Sequence, residues 1–349
     1  MTMTAVVDIP ESRVSPQVPT ATRDSGIDTV RGIAILMVIG IHSLPQPLDT
    51  SWEKLLDAAL RPCVPIFLFA SGYLTAASGR VPLWKRVKAT VIPYAIAFAV
   101  AYIYMARHNP TMDHRLTTTI ARFLLAYVFV YYYVFIYIGC TIGLWLIFRY
   151  TGNAQNSPQR LVILLGIAIA FGLISGCYLD PLLSRTGFSQ SFIQEVRLRD
   201  IPFWFSFAAC GALLGALRSA PALRSMHAII LSSTLFAYFI YAAVRIFGIG
   251  DAADYDSVAF FGYATLLIIL LLAIYPRIPL LAEIGSGSYF IYLWHIFVIM
   301  ALRDHASLRG FGSVSAFVAT YTITALVSIT VLFAVRRVAP SRTLRWLGA

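Results

Sequence analysis

The 349 residues are 59% hydrophobic and only 12% charged, with a formal net charge of +11. A soluble domain carries about a quarter charged residues, so this composition cannot clothe a water-soluble protein of this size. The basic excess comes without an RNA- or DNA-binding signature, and no nucleic-acid partner is expected.

Residues 1–25 are polar, include Pro10, Pro16 and Pro19, and read as a disordered tail. The apolar run that follows has no small-residue cleavage site after it, so it reads as a retained helix and not as a removed signal peptide. Apolar periodicity predicts about ten spans, near 27–46, 58–77, 88–106, 128–149, 160–178, 202–218, 226–248, 258–275, 286–302 and 313–335. The fold class is therefore all-α, a polytopic membrane helical bundle over residues 26–335, with a second tail at 336–349. The stretch 116–133 fits a short re-entrant or interfacial helix. An even number of spans puts both termini on one side. Placing them inside gives fifteen Lys and Arg in inner segments against eleven in outer ones, the sense of the positive-inside rule. Both termini are expected to be cytoplasmic.

Polar groups within a span are costly and are functional candidates by default. The first span, GIDTVRGIAILMVIGIHSL, holds Asp28 and Arg31 at its inner end and His42 near its outer end. Eleven helical positions separate Arg31 from His42, about 16 Å and three turns, so both face nearly the same way. Cations at the inner face can hold phosphates while a thin pantetheine arm carries a thioester toward His42, whose neutral imidazole can take a proton from a hydroxyl or relay the acyl group as a transient acyl-histidine. The competing reading pairs Arg31 with Asp28 and leaves His42 an interior, hydrogen-bonded histidine.

In VPIFLFASGYLTA, Ser71 and Gly72 suit close helix approach; no nucleophile-elbow motif surrounds Ser71. Lys85, Arg86 and Lys88 cluster before the third span and suit either nucleotide phosphates or a topology anchor. In the ninth span His295 sits among Tyr289, Tyr292 and Trp294, where it can meet His42, line an acceptor path or serve as an interior structural histidine. Outside, QSFIQEVRLRDIPFWF mixes Arg197 and Arg199 with aromatics, and YVFVYYYVFIY at 127–137 is tyrosine-rich; each reads as a sugar surface or as an ordinary membrane-interface belt. Cys63, Cys140, Cys177 and Cys210 form no CxxC pair, and neither a metal nor a disulfide framework is expected.

In this order the segments resemble the acyltransferase 3 family of bacterial membrane acyltransferases. DTVRGIAILMVIGIH is similar to the family's Arg/Lys-x10-His motif, with Arg31 and His42 at its ends. VPIFLFASGYL, KRVKATVIPY, FAACGALLGAL and SYFIYLWH resemble its second, third, sixth and late helices. The resemblance implies ten membrane helices in a bacterial inner membrane. It also implies transfer of an acyl group, often acetyl from acetyl-CoA, to a lipid-linked or exported glycan such as exopolysaccharide or lipopolysaccharide O-antigen. By the resemblance His42 would be essential and the basic positions Arg31, Lys85, Arg86 and Lys88 would serve the donor. By the residues' own chemistry, His295 is expected to assist His42, Arg197, Arg199 and Tyr292 to meet the acceptor, and Asp28, Ser71 and Gly72 to serve the scaffold. The chain departs from the family's Arg-x-x-Arg before the third helix, because Ala89 follows Arg86. Lys85 and Lys88 keep that spacing without the bidentate fork of arginine. Different classes also fit ten spans: a transporter of a glycan precursor or acyl donor, or a structural partner in an envelope-synthesis complex.

Overall fold

The computed structural model describes residues 24–128, 130–151, 158–249, 257–306, 310 and 312–349. Residues 1–23 of the expected tail lie outside the described residues. Among those described, 83% are helical and none is in a strand, as expected of an all-α bundle.

The first half runs α1 (Ser25–Ser43), α2 (Ser51–Leu60), α3 (Cys63–Ser78), α4 (Leu83–His108), α5 (Leu116–Leu124), α6 (Tyr132–Thr151), α7 (Pro158–Ser184) and α8 (Gln190–Leu198). The second half runs α9 (Ile201–Ala216), α10 (Ala220–Ser225), α11 (His227–Phe247), α12 (Val258–Ile274), α13 (Pro279–Ser286), α14 (Ser288–His305), α15 (Ser313–Val338) and α16 (Ser341–Leu347). Seven stretches are long and apolar enough to cross a membrane: α1, α2 with α3, α4, α6, α7, α11 and α15. The pair α13 and α14, bent by 78°, makes eight if it counts as one span. The chain is thus a multi-pass membrane protein, with seven to eight spans by this measure where about ten were predicted. Two predicted spans, 202–218 and 258–275, appear as α9 with 16 residues and α12 with 17. At 1.5 Å per residue each reaches only about 25 Å, short of a hydrocarbon core of about 30 Å. Within the 116–133 stretch, Leu116–Leu124 form the nine-residue α5, which has no buried residue, and α6 begins at Tyr132.

The first helix lies at the centre. Asp24 caps it by accepting from the backbone N–H groups of Gly26 and Ile27 at 3.1 and 3.0 Å, satisfying two donors that a helix start leaves open. Its buried face (Ile27, Val30, Ala34, Ile35, Val38, Ile39) meets α3, α13, α14 and α15.

Glycines set the closest crossings. A Cβ at Gly32 would fall on the Leu281 carbonyl of α13, and one at Gly285 on the Asp28 carbonyl of α1, so the two glycines let α1 and α13 touch backbone to backbone. Gly72 does the same against Ala208 of α9, and Gly211 of α9 against Phe69 of α3. Gly72 thus lies at the crossing of α3 and α9. The final residues form a helix, α16, that packs on α4, with Gly348 against Tyr289 and Pro93.

Candidate active site

Arg31 lies near the start of α1 and His42 near its end. The Arg31 guanidinium donates to Asp28 at 3.3 Å and to the Ser288 hydroxyl at 3.1 Å. Asp28 is buried and acts as its anchor. Arg31 remains part of the wall of a cavity of about 340 Å³, together with Ser71, Arg86, Ala89, Tyr133, Tyr137, Ser288, Tyr289 and Tyr292. Arg86 is steadied by a 2.8 Å hydrogen bond from its guanidinium to the Thr75 hydroxyl. Two arginines from different helices therefore face one volume of the size that ligand pockets have. The tyrosines are fixed from behind: Tyr289 donates to the Thr90 carbonyl and Tyr292 to the Val130 carbonyl, both at 2.7 Å.

Toward the other end of α1 a small chamber of about 50 Å³ shares Val38, Val64, Tyr133 and Tyr292 with that cavity and adds His42, Arg61 and Cys63. Beyond it lies a third cavity of about 370 Å³, formed by the 44–50 turn, the start of α2, the end of α14 and the start of α15. Among the described residues, His42 is the one wall residue common to the small chamber and this third cavity. A single imidazole thus stands between two volumes.

His295 of α14 packs beside it, with ring centroids 5.5 Å apart. It is fully buried, and its Nδ1 lies 3.0 Å from the Ile291 carbonyl and 2.9 Å from that of Tyr292. Carbonyl oxygens only accept, so Nδ1 carries the hydrogen and Nε2 presents a lone pair. That Nε2 has no hydrogen-bond partner among the described residues. Of the placements open to His295 in the sequence, the fold sets its ring beside that of His42.

A family model described as an acyltransferase domain matches residues 24–336, nearly the whole chain. The chain belongs to the acyltransferase 3 family. No curated protein and no solved structure matches it.

The other candidate residues of this membrane acyltransferase separate into two groups. Arg31, Arg86, Ser71 and Tyr292 come together around the first cavity. Lys85 and Lys88 do not; both are exposed on α4 and neither lines it. Ala89, three positions after Arg86, does line it. Arg197 of α8 forms a buried ion pair with Asp180 of α7. Arg199 pairs with Glu195 at 2.5 Å, donates to the Leu125 carbonyl at 2.9 Å and lies over the Tyr127 ring. Neither arginine lines any of the three cavities. The tyrosines of 127–137 divide as well: Tyr133 and Tyr137 line the first cavity, and Tyr132 joins Tyr133 at the small chamber.

Arg61 and Phe317 escaped the sequence reading. Arg61 looks like one more outer cation, and its only local signal is Asp57 four residues before it, the spacing of a helical ion pair. Phe317, in the third cavity with Arg303 and Thr320, stands in an apolar run without any local mark.

Proposed function

We propose that the protein moves an acetyl group from cytoplasmic acetyl-CoA to a hydroxyl of a cell-surface or exported polysaccharide or lipid-linked glycan. The donor's phosphates rest on Arg31 and Arg86, and its pantetheine arm runs along α1 for about 16 Å, three helical turns, toward His42. The acceptor hydroxyl approaches His42 from the third cavity, where Phe317 offers a ring face and Thr50, Ser313 and Thr320 offer hydroxyls. His42 removes the hydroxyl proton as the oxygen attacks the thioester carbonyl, then returns a proton to the departing thiolate. His295 orients it. The small chamber favours a short acyl group: at about 50 Å³ it has room for a few water-sized groups at about 10–15 Å³ each.

One observation carries this reading: His42 is the residue shared by the chamber that abuts the arginine-lined cavity and by the polar third cavity. Orientation follows the cation distribution, with the Arg31 end of α1 on the cytoplasmic side of a bacterial inner membrane.

The test is the acetyl content of the surface glycan, by mass spectrometry, in cells carrying native protein or His42→Ala. It is paired with acetyl-CoA turnover by the purified proteins. General-base catalysis contributes roughly 10²–10⁴-fold, and His42→Ala is expected to lose at least that much. A folded His42→Ala variant that acetylates normally rejects the role, and a native protein that neither binds nor turns over acetyl-CoA rejects the enzyme reading of this chain in favour of transport.

A further inference from the structure

The small chamber contains a group that the reaction above leaves without a role. Arg61 sits at the turn between α2 and α3 and forms part of the chamber wall with His42. Its Nε donates to Asp57 at 2.6 Å, and the same carboxylate oxygen receives Arg245 of α11 at 2.6 Å. Asp57 is 2% exposed. The carboxylate therefore holds the guanidinium by its Nε edge.

Much of the remaining wall is apolar, including Val38, Ile41, Val64 and Val130. The Cys63 thiol is turned to the Arg61 carbonyl, at 3.7 Å. The Tyr292 hydroxyl is spent on the Val130 carbonyl. Among the described lining residues, Arg61 is the one with a permanent charge. Acyl transfer needs such a group. When the acceptor oxygen bonds to the thioester carbon, the carbonyl π pair moves onto its oxygen, and the resulting oxyanion sits in low-dielectric surroundings. Donors fixed in advance where that charge develops are often the largest single contribution to catalysis.

Resting on the proposed reaction, we propose that Arg61 is a catalytic residue that holds the oxyanion of the tetrahedral intermediate. The acceptor hydroxyl gives its proton to His42. The new carbon–oxygen bond forms as the carbonyl oxygen becomes negative beside Arg61. The oxyanion then reforms the carbonyl, the carbon–sulfur bond breaks, and the thiolate takes the proton from His42. No co-reactant beyond donor and acceptor is required.

The test compares Arg61→Gln, Arg61→Lys and Arg245→Gln as full-length purified enzymes, with kcat and KM for acetyl-CoA and thermal unfolding measured for each. Arg245 shares Asp57 but is absent from the chamber wall, so it reports the scaffold alone. Loss of one oxyanion donor costs about 10²–10³ in kcat, and Arg61→Gln is expected to show that loss with its donor KM within about threefold of native. Arg61→Lys should fall between the two, since charge remains without the fork. Arg245→Gln should lower thermal stability and spare kcat. A folded Arg61→Gln enzyme with native kcat overturns the assignment, as does an equal kcat loss in Arg245→Gln. If Arg61→Gln does not fold, Arg61→Lys decides, and native kcat there overturns it. An inactive His42→Ala beside an active Arg61→Gln removes only Arg61; an active His42→Ala removes the underlying reaction.

Discussion

The imidazoles of His42 and His295, on helices from opposite ends of the chain, lie with centroids 5.5 Å apart and planes inclined by 34°. Because backbone carbonyls claim the Nδ1 hydrogen of His295, its free lone pair is held in a fixed direction at the edge of the site. His295 then acts through His42, and the two should behave as one unit. His295→Ala is expected to lower kcat roughly 10- to 100-fold, and the double variant should be no slower than His42→Ala alone, because residues that work as a unit are not additive. Initial rates of the four enzymes form the cycle. Additive losses would separate the two histidines.

Donor affinity should depend on Arg31 and Arg86 and hardly at all on their lysine neighbours. A hydrogen bond to a charged group contributes about 1.5–3 kcal/mol, so Arg31→Gln or Arg86→Gln should weaken acetyl-CoA binding about 10- to 100-fold. Exposed cations contribute roughly 0.2–1 kcal/mol, and Lys85→Gln or Lys88→Gln should stay within about fivefold. Ala89→Arg puts another guanidinium on that wall, three positions after Arg86, and should tighten binding. Calorimetric titration with acetyl-CoA reads all five.

The glycine crossing of α1 and α13 leaves no room for a methyl group. Gly32→Ala and Gly285→Ala each force one backbone off the other, and overpacking of this kind costs about 1–3 kcal/mol or more. Gly166 and Gly262 have open space around their Cβ positions, so alanine there should be neutral or stabilising by about 0.5–1 kcal/mol. Thermal unfolding in detergent separates the two pairs. Equal effects at all four sites would contradict the packing argument.

Arg197 was expected to contact the acceptor, yet it is engaged with the buried Asp180. Breaking a buried pair by removing one partner costs about 3–5 kcal/mol. Arg197→Met should therefore lower the unfolding temperature sharply, and Asp180→Asn combined with Arg197→Met should recover much of it. The acceptor KM of the double variant should match the native value. A raised acceptor KM with native stability would return Arg197 to the acceptor site.

What the sequence made legible followed from geometry internal to one helix. Arg31 and His42 lie three turns apart on α1, and their relative placement needs no tertiary contact. Consecutive residues are harder. Lys85, Arg86 and Lys88 form one cluster in the sequence, yet Arg86 lines the cavity with Ala89 while Lys85 and Lys88 are exposed; spacing does not separate them, because Lys85 and Arg86 both lie within about 60° of Ala89 around the helix. Arg61 and Phe317 gain their meaning only from helices that close around them, and Asp180 is separated from Arg197 by a helix break. The lengths of α9 and α12 depend on Asp200 and Ser257 as caps, which hydropathy windows do not resolve.

Between the two larger cavities lie a small chamber and the ring of His42. A membrane protein that is hollow from both directions risks becoming a leak. Under the reaction proposed above, the imidazole that handles the proton is also the seal, and shrinking it to glycine would open a way through for protons and small ions. Conductance across a reconstituted bilayer, negligible for the native chain and measurable for His42→Gly, is where that second duty would be seen.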